Sequence, residues 1–366
     1  MTTLSAPRAT APTVDVFHAP SNPTTRVDHR CTLHVVPTRD EQTISLIRIR
    51  GVVEHSKGPV ILVHGAGVRG EIFRPPNRRT LVDALIDDGW DVWLLNWRAS
   101  IDLDPVPWTL DDAAAWDHPA AVNYITNYTG SPTLKAIIHC QGSTSFAMAA
   151  AAGLLPQVTT IISNAVSLHP VIPKFSQFKI HRLRPILQGI TAYLNPAWGD
   201  EPDSFFARAA NVMVKSSHHE CDNPVCRQVS FTYGSGRPAL WSHANLTEDT
   251  HEWIRGEFGK VPMTFFEQMD KSVRAGHLVS VTRREGLPDE YGTTALNTDA
   301  RWVLYAGAEN RCFLPESQQR TFDWLEKREP GRHALHIIPN YGHLDIFLGQ
   351  HAANDIFPGM LKELNA

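Results

Sequence analysis

The sequence of 366 residues has few cysteines and no long hydrophobic run. Five cysteines are too few for a disulfide framework in a chain of this length, and their odd number leaves at least one thiol unpaired in a monomer. No stretch approaches the roughly 20 apolar residues that a membrane-spanning helix needs, and the N-terminal residues have no apolar signal-peptide core. We therefore expect a cytoplasmic protein without a membrane span.

Clusters of basic residues are absent as well. Lys and Arg number 34 against 38 Asp and Glu, and the formal charge is −4. No run of basic side chains could neutralise successive phosphates, so nucleic acid is not an expected partner. Apolar residues make up 42% of the chain, which is enough for one large core or two smaller ones.

Strand and helix patterns alternate in two parts of the chain, residues 29–166 and 300–366. The first part opens with two β-rich runs, CTLHVVP and TISLIRIRG, which predict an antiparallel hairpin. Short buried-strand patterns then alternate with amphipathic helical patterns. This alternation is typical of a mostly parallel central sheet with helices on both faces, the α/β class.

Two other segments do not follow the alternation. Residues 1–28 are rich in Thr, Ala and Pro and predict a flexible N-terminal arm. Residues 167–299 are interrupted by prolines and rich in aromatic side chains, and we interpret them as an insertion that covers the sheet.

The first chemically reactive residue follows the predicted strand LKAIIH. In IHCQG, Cys140 lies at the centre of a strand-to-helix turn, the frame of a nucleophile elbow. Gly142 meets the steric need of that turn, whereas Ile138 is bulkier than usual. Ser143 and Ser145 compete as nucleophiles but fall inside the following helix. A buried, inert thiol is the commonest role of a free cysteine, yet the turn position favours a nucleophile here.

Two further turns supply partners for Cys140. His343, in NYGHLDIF, follows the last predicted strand, and the carboxyl ends of parallel strands meet at one edge of a sheet. A base is needed there, because a free thiol with a pKa of about 8.5 is mostly protonated at neutral pH. The turn after RWVLYAG contains no aspartate, so we expect Asn310 or Glu309 to orient the imidazole, with Asp345 as a further candidate.

Backbone donors for an oxyanion hole are expected from two places. The N–H of Gln141, directly after the nucleophile, is one, and Ala66 or Gly67 in HGAG supplies the other. The same loop reads GAGVRG and matches a dinucleotide fingerprint. Pro75 and Pro76 interrupt the helix that such a fingerprint requires, so we do not expect a nucleotide or any other cofactor.

Taken in order, PVILVHGAG, ALIDDGWDVWLLNWR, WDHPAAVNYI, IHCQGS, GAENRCFLPES and YGHLDIF resemble the α/β-hydrolase superfamily over residues 30–360. Within it they are similar to the acid-lipase-like branch and to the hydrolase domain found with some cholesterol-oxidase-type proteins. The resemblance implies an α/β-hydrolase fold with an inserted cap at 167–299 and esterase, lipase or acyl-transfer activity. Family members usually use Ser, His and Asp, whereas this chain has Cys140 and Asn310 at two of those positions.

Cysteine elbows also occur in branches similar to dienelactone hydrolases and polyhydroxyalkanoate synthases, which implies lactone, thioester or acyl-transfer chemistry. We expect a hydrolase that forms an acyl-Cys140 intermediate, with His343 taking the thiol proton. An acyltransferase with the same nucleophile and an inactive ligand-binding homologue are the alternatives. The expected partner is a small-molecule, largely apolar acyl substrate, and an oligomer is compatible with the sequence.

The inserted segment contains two groups of residues with chemical potential. Its aromatic side chains could line an apolar pocket, and they are Phe205, Phe206, Phe231, Trp241, Trp253, Phe258, Phe265 and Phe266. The run SSHHECDNPVC places His218 and His219 near Cys221 and Cys226. Because their spacing fits no standard zinc pattern, we expect no metal.

Overall fold

The structure is a computed structural model, and it describes residues 13–15, 29–217, 220–293 and 295–366. His218 and His219, and most of the predicted N-terminal arm at 1–28, lie outside the described residues. Within that arm, Thr13–Asp15 forms a strand that pairs antiparallel with residues 32–34. This part of the arm therefore extends the sheet.

The strands of the described chain are β1 (Thr13–Asp15), β2 (Arg30–Pro37), β3 (Thr43–Arg50), β4 (Pro59–Val63), β5 (Asp91–Asn96), β6 (Leu134–His139), β7 (Val158–Asn164), β8 (Tyr193–Leu194), β9 (Val261–Pro262), β10 (Arg301–Gly307) and β11 (Ala334–Ile338). Among the described residues, nine of them form one sheet in the order β1-β2-β3-β5-β4-β6-β7-β10-β11, while β8 and β9 pair separately. The pairs from β5 to β11 along this order are parallel. The prediction of a mostly parallel sheet is confirmed.

The α-helices of the described chain are α1 (Leu81–Asp87), α2 (Leu110–Asp112), α3 (His118–Thr129), α4 (Cys140–Ala151), α5 (Lys174–Phe178), α6 (Arg184–Gln188), α7 (Phe205–Ser217), α8 (Pro224–Tyr233), α9 (Glu248–Trp253), α10 (Met263–Ala275), α11 (Glu316–Glu326), α12 (Asp345–Leu348), α13 (Ala352–Asp355) and α14 (Phe357–Asn365). Short 3-10 or π segments complete them at Gly70–Phe73, Ala113–Asp117, Lys179–Leu183, Pro196–Gly199, His243–Asn245 and Ile254–Gly256.

Sequence chemistry explains the core of this fold. The predicted hairpin is β2 and β3, paired antiparallel over their whole length. Every residue of β4 and β5 is buried, as their near-continuous apolar runs predict for central parallel strands. Two groups of helices pack on the sheet: α1 with α14, and α3 with α4. The helix α1 begins at a capping box between Thr80 and Asp83.

The segment between β7 and β10 contributes no strand to the main sheet among its described residues. It contains α5 to α10 and the small β8-β9 ribbon, so the loss of strand-helix alternation in the sequence marks a real change of architecture. Across the described ranges, no helix combines the length and the apolar character needed to cross a membrane.

Candidate active site

Cys140 lies at a strained turn between β6 and α4. Its φ is +53°, in the left-handed region that residues with a side chain rarely adopt. A Cβ added to Gly142 would lie 2.1 Å from the carbonyl oxygen of His64, so only glycine fits two residues further on. The strained turn that the sequence predicts is therefore present, and it holds the Cys140 side chain at the carboxyl end of β6.

The competing serines are engaged within the fold. Ser143 is fully buried, and its hydroxyl donates to the carbonyl of Val166 at 2.6 Å. Ser145 is also fully buried; its Oγ lies 3.0 Å from the Gln141 carbonyl and 2.7 Å from Nε2 of a buried histidine. Neither hydroxyl is presented at the strand end as Cys140 is.

His343 reaches the same edge of the sheet from the turn after β11. Side-chain donor atoms of His139, Cys140 and His343 all lie within 4.8 Å of one another. The rings of His139 and His343 have centroids 4.7 Å apart. The backbone N–H of His343 donates to the carbonyl of Leu240 at 2.6 Å, so the inserted segment helps to hold this turn.

The side chain of Asn310 lies beside the imidazole of His343. The amide Nδ2 of Asn310 lies 3.1 Å from Nδ1 of His343. Its Oδ1 accepts from the backbone N–H groups of Cys312 and Phe313 at 3.0 and 3.2 Å. Those two donors fix the oxygen on the side away from the imidazole. The amide therefore offers N–H to Nδ1, which must accept the hydrogen bond.

The other two candidates for this position lie elsewhere. Glu309 is exposed, and its backbone N–H pairs with the carbonyl of Tyr341. Asp345 is buried, but its carboxylate accepts from the backbone N–H of Gly342 and from the side chain of Asn245. The expectation that Glu309 could orient the imidazole is thus not supported by its exposed position, and Asp345 holds the backbone of the turn instead.

The surroundings of Cys140 favour its thiolate. Burial alone would raise the pKa of the Cys140 thiol. A hydrogen bond with the Cys312 thiol, the charge and hydrogen bond of His343 and the Gln141 N–H outweigh burial and lower the pKa from 9.0 to about 5. Burial and the neighbouring Cys140 raise the pKa of Cys312 well above its usual value. The two shifts, in opposite directions, favour a thiolate on Cys140 beside a neutral Cys312 thiol.

The sequence does not indicate that Cys312 contacts the thiol of Cys140. Its place directly after the Asn310 turn is the one sequence feature that could have suggested this contact. Tyr233, in α8, is another: its hydroxyl donates to the carbonyl of Ala66 at 3.0 Å, and its side chain lines a small cavity of about 20 Å³ together with Cys140 and His343.

The predicted oxyanion donors differ in whether their N–H groups are available to the site. The N–H of Gln141, at the N-terminus of α4, hydrogen-bonds to Cys140 and therefore points into the site. The N–H of Gly67 donates to the carbonyl of Ala99 at 3.0 Å, so it is committed within the fold. Ala66 lines the small cavity, and among the described residues no acceptor is assigned to its N–H. Of the two expected donors from this loop, Ala66 is the one available.

A larger, mainly apolar cavity of about 420 Å³ adjoins the site, and Gln141, Tyr233 and Cys312 line it on the side of Cys140. Four of the eight predicted aromatic side chains contribute to its wall: Phe206, Phe231, Phe265 and Phe266. Phe258 lines the small cavity instead, and Phe205 is 87% exposed, so its expected role in the pocket is wrong. Trp241 and Trp253 pack within the fold.

Two groups of side chains in the described chain have donor atoms close enough to hold a metal ion. In the group at the active site, Asn164 occupies Nδ1 of His139 at 2.9 Å, and Asn310 occupies Nδ1 of His343. The second group lies in the inserted segment and joins Cys221 and Cys226 to two histidines distant in sequence.

Comparison with known proteins agrees with this architecture. Residues 58–198 match a family model described as alpha/beta hydrolase fold. The chain is 23% identical to human lipase member K, with 89% of this chain and 85% of the lipase covered. It is 29% identical to human gastric triacylglycerol lipase, with 84% and 79% covered.

Among solved structures, an esterase from Thermogutta terrifontis superposes with a TM-score of 0.54 at 14% identity, covering 91% of this chain and 98% of the esterase. That likeness concerns the fold. Together with the sheet order and the strained turn, it shows an α/β-hydrolase fold, and in sequence the chain is similar to lipases.

Proposed function

We propose that this protein is a hydrolase that cleaves an ester, lactone or thioester of a largely apolar substrate through an acyl-Cys140 intermediate. The observation that carries the proposal is the thiol of Cys140, its pKa lowered to about 5, at a strained strand-to-helix turn beside His343. A thiolate is the reactive form of cysteine, and the Gln141 N–H beside it is placed to receive a developing oxyanion.

The amide of Asn310 constrains the protonation of His343. Because its N–H faces Nδ1, the neutral imidazole carries its proton on Nε2. A carboxylate at this position would accept from Nδ1 and leave Nε2 free as a base. In this proposal the Nε2–H of His343 supports the thiolate of Cys140 as a hydrogen-bond donor, together with the Cys312 thiol and the Gln141 N–H, rather than removing its proton during attack; the further lowering of the Cys140 pKa by the charge of His343 applies only while the ring is protonated. In this respect the proposal departs from the expectation, drawn from the sequence, that His343 takes the thiol proton.

The proposed acylation follows from that state. Sγ of Cys140 attacks the acyl carbon, the Sγ–C bond forms, and the bond to the leaving oxygen or sulfur breaks. Full transfer of the Nε2 proton would leave an anionic ring, so the leaving group departs as an anion and takes its proton from solvent. Thioesters, enol lactones and aryl esters have such leaving groups, and we therefore place them ahead of alkyl esters.

Deacylation is the slower half of the proposed cycle. Water adds to the thioester carbonyl, the Sγ–C bond breaks, and the acid and the Cys140 thiolate result. With the proton on Nε2, His343 offers no base to this water, and general base catalysis usually contributes about 10²–10⁴-fold. The acyl-enzyme should therefore accumulate.

The substrate proposal rests on the large cavity. Its wall is mainly apolar and formed largely by the inserted segment 167–299, which we propose to be a cap of the acid-lipase-like kind. Lys179, which lines the cavity, donates to the carbonyls of Phe231 and Gly234, and burial lowers its pKa to about 7.

A cytoplasmic location belongs to the same proposal, because oxidation of Cys140 would remove the nucleophile.

The test is intact-protein mass spectrometry after an acid quench of the enzyme with an aryl ester or thioester. We expect one acyl group per chain, located on the Cys140 peptide, and a product burst equal to the enzyme concentration. The adduct should be lost in Cys140→Ala and retained in Cys31→Ala, a matched change of a cysteine in β2. Adduct formation at another residue, or turnover that survives Cys140→Ala, would overturn the proposal. No adduct and no turnover would support a ligand-binding homologue.

Acyl transfer is the second candidate, and the Asn310 arrangement is the observation that favours it. An acceptor that arrives as a thiolate needs no base, whereas water does. Product analysis with and without a thiol acceptor separates the two. A transfer product that grows at the expense of the free acid supports transferase activity, and an unchanged acid yield rejects it.

A further inference from the structure

We infer that Cys221, Cys226, His243 and His251 form a structural zinc site in the inserted segment. The donor atoms of these four side chains all lie within 4.8 Å of one another. Two sulfurs and two imidazole nitrogens are the ligand set of tetrahedral structural zinc sites in proteins. The inference is independent of the function proposed for Cys140, because none of these residues contacts the nucleophile.

The spacing of the atoms fits a tetrahedral ion. Sγ of Cys226 lies 3.5 Å from Nε2 of His243. Zinc bound to sulfur at about 2.3 Å and to nitrogen at about 2.0–2.1 Å holds the two ligand atoms about 3.5 Å apart in a tetrahedron. The rings of His243 and His251 meet edge to face, with centroids 4.9 Å apart and planes at 88°.

A ring nitrogen of one of these four residues lacks a hydrogen-bond partner among the described residues. Nε2 of His251 is buried, and no hydrogen-bond partner for it is found in the described part of the chain. A buried imidazole nitrogen without a partner is unfavourable unless a ligand completes it. A metal ion at the centre of the four side chains would do so.

Neighbouring groups orient the ligands, as the second layer of a metal site usually does. Nδ1 of His243 faces the carboxylate of Glu220 at 3.7 Å. The side chain of Asn223 accepts from the N–H of Cys226 at 3.0 Å and donates to the carbonyl of His251 at 2.6 Å. Asn223 thus links the start of α8, which carries Cys226, to α9, which carries His251.

The site has no place for a substrate. Four protein ligands complete a tetrahedral zinc ion, which is the signature of a structural rather than a catalytic metal. On binding, zinc displaces the two thiol protons and holds both sulfurs as thiolates.

The ion would fasten a segment that supports the active site. His243 follows Leu240, whose carbonyl accepts from the N–H of His343, by three residues. The N–H of Ser242 and the amide of Asn245 both donate to Asp345 in the His343 turn. Zinc would therefore act as a positioning element, through the backbone of 240–245.

Sequence spacing hides this set. The cysteines have four residues between them, but the histidines follow after a long interval and have seven residues between them, outside the usual zinc patterns. His218 and His219 are closer to the cysteines in sequence, but they lie outside the described residues. The expectation of no metal is revised by this inference.

The test is the metal content of the tag-free chain, purified under reducing conditions without chelator and measured by inductively coupled plasma mass spectrometry. We expect about one zinc per chain. Cys226→Ser and His243→Ala should each lose it, and Cys31→Ser and His351→Ala should keep it. A chain that contains no metal and carries a Cys221–Cys226 disulfide, or two freely alkylated thiols, would overturn the inference.

A second measurement covers variants that fail to fold. Zinc is removed from the intact wild-type chain and replaced by Co²⁺. Tetrahedral d–d bands with thiolate-to-cobalt charge-transfer absorption, displaced by one equivalent of Zn²⁺, are the expected result. Spectra of octahedral cobalt without charge transfer would contradict a site made by two cysteines.

Discussion

Two pairs of neighbouring cysteines lie in contrasting surroundings in this molecule. Cys140 and Cys312 meet at the carboxyl edge of the sheet, where the pKa of Cys140 is lowered to about 5. Cys221 and Cys226 meet in the inserted segment, where the neighbouring thiol and burial raise the pKa of Cys226. Both pairs have histidines within reach. The same side chains therefore support a nucleophile in one place and a metal site in the other.

What separates the two pairs is the backbone that carries them. Cys140 has a strained φ at a strand end, with the Gln141 N–H and an adjoining cavity to receive a substrate. Cys226 is in the first turn of α8, fully buried, with two histidines converging on it. A reactive thiol needs space beside it, whereas a ligand thiol needs other ligands around it.

The largest expected effect comes from removal of the nucleophile. Cys140→Ala should lower kcat/KM for an aryl ester by on the order of 10⁴-fold or more, as loss of a nucleophile does in other hydrolases. Cys31→Ala should retain activity. Steady-state kinetics with circular dichroism as a check of folding measures this, and a modest loss in Cys140→Ala would remove the distinction between the two cysteine pairs.

The next effect concerns the orienting amide. Asn310→Asp replaces the N–H beside Nδ1 of His343 by an acceptor, so that Nε2 becomes a base for water. We expect the product burst to disappear and steady-state turnover to rise by about 10²-fold.

Asn310→Ala is the matched control, because it removes the amide without supplying a carboxylate. Stopped-flow product release separates acylation from deacylation in both variants. Unchanged deacylation in Asn310→Asp would show that the protonation assigned to His343 is wrong.

A smaller effect concerns pH. Because the thiol of Cys140 has a pKa of about 5, kcat/KM should rise with pH through about 5 as the thiolate forms. Cys312→Ala removes a hydrogen bond to a charged group, worth about 1.5–3 kcal/mol. The pH at which kcat/KM rises should therefore increase by about one to two pH units.

In Cys312→Ser, which keeps a hydrogen-bond donor, kcat/KM should rise with pH near the same pH as in the wild type.

The lowered pKa of Cys140 also makes folding stability depend on pH. Its contribution to the free energy of unfolding is fully present above the ordinary pKa of 9.0 and is lost as the pH falls through about 5. Coincident pH profiles for wild type and Cys312→Ala would contradict the role of Cys312.

The smallest effect is expected at the competing serines. Ser143→Ala and Ser145→Ala should change kcat/KM by less than about twofold, since both hydroxyls are engaged in buried hydrogen bonds, and each should cost about 1 kcal/mol of unfolding free energy. Urea unfolding and kinetics measured together check this. A loss of activity like that of Cys140→Ala would move the nucleophile to a serine.

Much of this arrangement can be predicted from the sequence. Strand and helix periodicity locates β4 to β7, and the strand-to-helix turn at Cys140 follows from the glycine two residues later. His343 and Asn310 follow from their places after the last two strands. These signals are local or depend on the shared edge of a parallel sheet, so no long-range information is needed.

The rest depends on contacts that no local pattern encodes. The orientation of the Asn310 amide is decided by backbone N–H groups of its own turn. The commitment of the Gly67 N–H to Ala99 requires the neighbouring loop. In the inserted segment, irregular chain brings His243 and His251 to the two cysteines, and no periodicity reports that approach.

The contrast between the two cysteine pairs is tested most directly by one measurement, site-resolved alkylation of the native chain with iodoacetamide across pH, read by peptide mass spectrometry. We predict that Cys140 reacts first, with a midpoint near pH 5, while Cys221 and Cys226 are protected until a chelator is added. Alkylation of Cys140 only at the pH of an ordinary thiol, together with immediate labelling of Cys221 and Cys226, would contradict the account.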